Sequence, residues 1–134
     1  MTALADNKEI LEKDGKLLSF PVVASDIIYK GALVKINAAG YLAPQAAEAG
    51  AASVGVAYEL CDNSAGSAGA KKCLVLHKGV FLLTCAGTLV QADVGSTVYA
   101  SDDQTVSVTQ ASNEVAVGKV VEYVSATQGW IELL

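Results

Sequence analysis

Glu59 and Glu122 close two stretches that read alike, Val54-Gly55-Val56-Ala57-Tyr58-Glu59 and Val117-Gly118-Lys119-Val120-Val121-Glu122. Two carboxylates facing one sugar are the equipment of a glycosidase, one serving as acid and the other as base or nucleophile. No aromatic or polar residues of a sugar site recur beside them, so both read as solvated strand-end residues. The remaining reactive side chains are isolated. His77, the single histidine, stands in an apolar run where a packed, hydrogen-bonded imidazole is expected. Ser64 and Ser67 lack the G-x-S-x-G elbow of a serine hydrolase, and Lys71-Lys72 lacks the glycine spacing of a phosphate loop. Asp102-Asp103 suits a hairpin turn, because a calcium site needs more oxygen ligands. Cys61, Cys73 and Cys85 recur at intervals of twelve, without the close pairs typical of zinc sites. Their odd number argues against a secreted disulfide framework, leaving small buried side chains in a reducing compartment. The expectation is a protein that is not an enzyme, with no catalytic residue, cofactor or metal.

The elements that hold these residues repeat. Lys30-Gly31-Ala32-Leu33-Val34-Lys35-Ile36 is echoed by Val94-Gly95-Ser96-Thr97-Val98-Tyr99-Ala100, with Gly95 lying 64 residues after Gly31 and Gly118 lying 63 after Gly55. Gly31 and Gly95 suit turns that a β-carbon would obstruct. Gly55 and Gly118, inside apolar strands, mark bulges or close backbone approaches. These four are the expected structural glycines, and two such units facing each other would close a small barrel.

Short runs with turn signals between them fill the rest. Leu17 to Val23 is extended and confined to an edge or bulge by Pro21. Ala32–Asn37 pairs with Tyr41–Ala43, and Val54–Leu60 follows the 44–52 connection. Asp62 to Gly69 is a glycine-rich loop, and Lys72–His77 and Val80–Cys85 have the composition of a buried sheet. Val94–Ala100 pairs with Thr105–Thr109, and Ala116–Val124 and Trp130–Leu134 close the chain. Nine or ten strands predict an all-β fold, a small β-barrel or sandwich of two similar units, with residues 16–134 as a single domain. Residues 1–15 read as an extended N-terminal arm, with a short helix over Asn7–Lys13 at most marginal.

Of the 134 residues, 52% are hydrophobic and 17% charged, which suggests that another subunit covers part of the surface. The net charge is −5 and there is no arginine, which argues against nucleic acid as a partner. No stretch reaches the roughly 20 apolar residues that span a bilayer, and no signal peptide is expected.

Phe20-Pro21-Val22, Lys30 to Val34, Ser53-Val54-Gly55-Val56-Ala57, Val94 to Tyr99 and Val117 to Glu122 together resemble a family of tailed-bacteriophage capsid decoration (head cement) proteins, formerly a domain of unknown function. The resemblance covers residues 20–134. It implies a β-barrel subunit, commonly a homotrimer, assembled in the host cytoplasm and held on the outer capsid surface of the virion. There it would bridge major capsid proteins and resist internal DNA pressure. Leu4, Ile10, Leu11 and Phe20 are the candidate capsid or subunit contacts, and residues 72–90 are expected to face a subunit interface. The alternative is a carbohydrate- or host-surface-binding β-barrel module, for which Tyr29, Tyr41 and Trp130 are the exposed aromatic candidates. Otherwise Trp130 would anchor the core.

Overall fold

Runs of three to six β-branched and aliphatic residues, cut by glycine and Asx turns, leave no room for a long helix. The computed structural model describes residues 2–9 and 15–134 and is almost wholly β. Its strands are β1 (Leu17–Pro21), β2 (Asp26–Ile28), β3 (Leu33–Ile36), β4 (Leu42–Pro44), β5 (Ala52–Ala57), β6 (Cys61–Asn63), β7 (Lys72–Leu76), β8 (Val80–Cys85), β9 (Thr97–Ala100), β10 (Thr105–Ser107), β11 (Val115–Ser125) and β12 (Gln128–Leu133), with a single 3-10 turn at Gln91–Asp93. Residues 2–9 form no regular element. Ile10, Leu11 and most of the proposed 7–13 helix lie outside the described residues.

The duplication seen in the sequence is a duplication of topology. The first sheet runs β1-β7-β5-β3-β4 and the second, in the same sense, β8-β12-β11-β9-β10. In each unit the first strand lies beside the last, and the last beside the fourth. Register is conserved pair for pair. Leu33↔Val56 and Val34↔Gly55 in the first unit match Thr97↔Lys119 and Val98↔Gly118 in the second. Both units bulge at the same point, skipping Val54 and Val117 respectively. Even the turns agree: Gly31 N–H donates to Ala57 O at 2.9 Å, and Gly95 N–H to Val120 O at 2.7 Å.

Each unit therefore curls on itself, and the two do not combine into one barrel. The second closes fully, because β10 pairs in parallel with β8 through Thr105↔Thr84 and Val106↔Cys85. The first stops at one parallel bridge, Val22↔Leu42, just beyond Pro21. Proline has no N–H to give a ladder, and it sits where β1 is the sheet edge. β7 and β8 are not a hairpin, since Lys78-Gly79 carries the chain from one unit to the other.

The units have separate cores. Val22, Ile28, Val34, Leu42, Cys73 and Val75 lie in the first; Val98, Val106, Val117, Val120 and Ile131 lie in the second. Leu33 and Val56 belong to the first sheet but pack into the second core. Burying two such side chains stabilises the junction by about 1.5–3 kcal/mol each.

Cys61 and Cys73 form a disulfide, with Cα atoms 5.9 Å apart. The expectation of three free thiols is corrected for these two, and Cys85 alone is free and buried. The pairing depends on β6, a three-residue strand that follows a turn the sequence does not announce. β6 pairs with β2, and both come from segments that read as turn or loop.

The glycines differ in what they tolerate. A β-carbon on Gly55 would fall 2.0 Å from Leu76 O, and one on Gly118 2.1 Å from Glu132 O. Gly31 and Gly95 have φ of 86° and 94° with nothing within 4 Å. Gly31→Ala and Gly95→Ala should each cost roughly 1–2 kcal/mol in urea unfolding, the left-handed penalty. Gly55→Ala and Gly118→Ala should cost more than about 3 kcal/mol, or prevent folding, since backbone must move. Equal losses at all four positions would refute this division.

Candidate functional site: an exposed sheet face

β8 and β12 alternate inward and outward residues. Ile131 and Leu133 point into the second barrel, and the opposite phase of β12 is Gln128, Trp130 and Glu132. On β8 the exposed phase is Val80, Leu82 and Thr84. Register sets them side by side: Leu82 lies across from Trp130, which lies across from Glu122 on β11. In the adjoining row Val80 is opposite Glu132, and Glu132 opposite Lys119. Val121, at a bulge, and Val124 are also exposed. The result is an apolar face edged by Glu122, Glu132 and Lys119.

Trp130 is 36% exposed, so it is not the core anchor. The buried-sheet reading of residues 80–85 is likewise corrected: Phe81, Leu83 and Cys85 pack inward while Val80 and Leu82 face solvent. Trp130 is exposed, as one of the aromatic candidates, but apolar residues on both faces of a strand look the same in sequence whether the outer face is covered or not, so its pairing with Leu82 in one face is legible only in the structure.

The other candidates are distributed over both units. Glu59 lies two residues beyond β5 in the first unit, and its Oε1 accepts from Leu74 N–H at 3.3 Å. Glu122 is exposed within β11 of the second unit. His77 Nδ1 makes a 2.7 Å hydrogen bond with Val54 O, a packing role. Asp102 Oδ1 accepts from the Gln104 and Thr105 amides at 2.9 and 2.8 Å, which is turn chemistry. Ser64 lines a depression of about 310 Å³ with Asp62, Gly66 and Lys71. Asp62's carboxyl is held below the usual range by hydrogen bonds from Ser64. Buried Asn63 ties that loop to the body by donating from Nδ2 to Val23 O and Ser67 O. Burial pushes the Cys85 thiol up. Leu4 is exposed, Phe20 packs against the first core, and Tyr41 is half-buried.

Tyr29 is 62% exposed and lines a shallow depression of about 250 Å³ with Lys30, Gly31, Ala32, Asp103 and Gln104. This is the junction between the units, where Leu33 N–H donates to Asp103 O at 2.7 Å and Glu48 N–H to Asn113 O at 3.0 Å. Buried Lys35 meets Glu48 Oε1 at 2.6 Å, while Ala38 N–H donates to the other oxygen.

No family model matches the chain, and neither does any curated protein or solved structure.

Lys35's hydrogen bond, then that of Ala38, holds the Glu48 carboxyl below the usual carboxylate range. A lowered folded-state value stabilises the fold above the ordinary range, and that stabilisation is lost as pH falls through the folded value. Urea midpoints of the native chain should therefore fall more steeply with acid than those of Glu48→Gln. Parallel pH profiles would show that the pair contributes nothing.

Proposed function

We propose that this chain is a structural, non-enzymatic virion subunit that docks on the outside of an assembled phage capsid and stabilises it by bridging major capsid proteins. The observation that carries the reading is the exposed patch of Val80, Leu82 and Trp130 on the closed second unit, with charges at its edge. An apolar centre containing a tryptophan and bounded by polar residues is the anatomy of a protein-docking surface. The motif resemblance supplies the kind of partner, the major capsid protein, and the expectation of a homotrimer. A ligand that binds the assembled shell and not its dissociated parts stabilises the shell by mass action, and many symmetric copies multiply a modest contact.

Trp130 also favours a second reading, a carbohydrate- or host-surface-binding module, since an exposed indole can stack on a sugar ring.

Purified heads heated with the protein should release DNA at a higher temperature than bare heads. Trp130→Glu or Leu82→Glu should weaken co-sedimentation with heads by about thirtyfold, corresponding to a hot-spot loss of about 2 kcal/mol. An unchanged release temperature with no co-sedimentation would overturn the capsid reading. Glycan-array signal lost in Trp130→Ala would move the assignment to the second. In solution, mass measurement distinguishes a chain that is monomeric before it meets a capsid from one that is already a trimer.

A further inference from the structure

Glu59, Cys61 and Cys73 stand together in the first unit, their Oε and Sγ ligand atoms all within 4.8 Å of one another. Three different pieces of chain deliver them. Glu59 comes from the link after β5, Cys61 opens β6, and Cys73 lies in β7. The loop between the two cysteines removes any zinc spacing from the sequence, and the fold restores the proximity. Both cysteines are buried and Glu59 is exposed, so the cluster is walled on its sulfur side and open on its carboxylate side.

The carboxylate is aimed. Leu74 N–H donates to Glu59 Oε1 at 3.3 Å, and that same oxygen lies 4.0 Å from Cys61 Sγ. Both sulfurs sit 3.8 Å from the Glu59 main-chain oxygen, which fixes the pair against this turn. Zinc–sulfur bonds of about 2.3 Å and zinc–oxygen bonds of about 2.0–2.2 Å put tetrahedral ligands about 3.4–3.8 Å apart. The sulfur–carboxylate separation is therefore close to that of a ligand set, and the backbone donor on the carboxylate is an outer support of the kind such sites use.

We propose that these three residues form a zinc site when the Cys61–Cys73 disulfide is reduced. The same position is then stapled by a covalent bond in oxidising surroundings and by a metal in reducing ones. A dithiol reductant supplies two electrons and two protons, cleaving the S–S bond to two thiols and itself becoming a disulfide. Zinc then takes both sulfurs as thiolates, releasing two protons to solvent, and Glu59 adds a third ligand. Water takes the fourth position on the open side. Paired thiolates favour zinc over the harder divalent cations. Because the ligands bridge β6 to β7, binding holds the excursion from Tyr58 to Lys71 against the first sheet. The inference does not depend on the docking reading.

The test uses the full chain, reduced with a phosphine and titrated with cobalt(II) as a spectroscopic probe. Reduced protein should bind one equivalent and show the intense visible ligand-field bands of tetrahedral thiolate coordination, while the oxidised protein shows none. Cys73→Ser should abolish the bands, and Glu59→Gln, a surface change that leaves the fold intact, should weaken binding at least about tenfold. Zinc should raise the melting temperature of the reduced chain but not of the oxidised one. Far-ultraviolet circular dichroism reports whether the reduced chain is folded. Any of three results overturns the proposal: a folded, reduced chain without the cobalt bands; a Glu59→Gln affinity equal to that of the native chain; or a reduced chain that unfolds and is not restored by zinc.

Discussion

Backbone contact at Gly55 and Gly118 is the constraint on which both units depend. At each, a carbonyl of the neighbouring strand occupies the place a β-carbon would take, immediately beside a bulge. A bulge sharpens strand twist, and close approach lets the sheet bend tightly without losing its ladder. Sheets of only five short strands can then curl far enough for first and third strands to meet. In the second unit they pair over two residues, and in the first at a single bridge. With edges closed or shortened in this way, little open ladder remains to template association with other chains.

What differs between the units follows from where each faces the other. The first spends Leu33 and Val56 on the second unit's core, and it carries an ion pair between buried Lys35 and the partly exposed Glu48. It also carries the long β5–β7 excursion, held by the disulfide and by Asn63. The second unit replaces that excursion with a two-residue turn between β11 and β12, and these two strands with β8 display the exposed apolar face. One copy thus bears the loop and the cysteine cluster, and the other bears the exposed apolar face.

Much of this was legible from residue types. The all-β class, the repeated unit, the two hairpins with their turn chemistry and the structural role of the four glycines follow from local spacing, because turns and bulges select residues locally. Pro21 correctly marked an edge. The closure of each unit on itself was not legible: which strand is paired across a long connection depends on side-chain packing, and short valine-rich strands carry little pairing information. β2 and β6 were missed for the same reason, since three residues are too few to show a period and their pairing is set by the surrounding chain. The Cys61–Cys73 bond was hidden behind them. Trp130 and Leu82 were visible as residues but not as a face, because alternation tells which side chains share a side of the strand and not which side is covered.

The register match has a bearing on assembly. Thr97 and Lys119 occupy, in the second unit, the positions that Leu33 and Val56 hold in the first. The adhesive patch that joins one unit to the next is therefore present once per chain and is already consumed. A duplication that had kept leucine and valine in both copies would carry an unspent sticky end, open to a third unit and then to a filament. Polar side chains at this second pair end the series at two, and leave further association to surfaces that the repeat does not propagate.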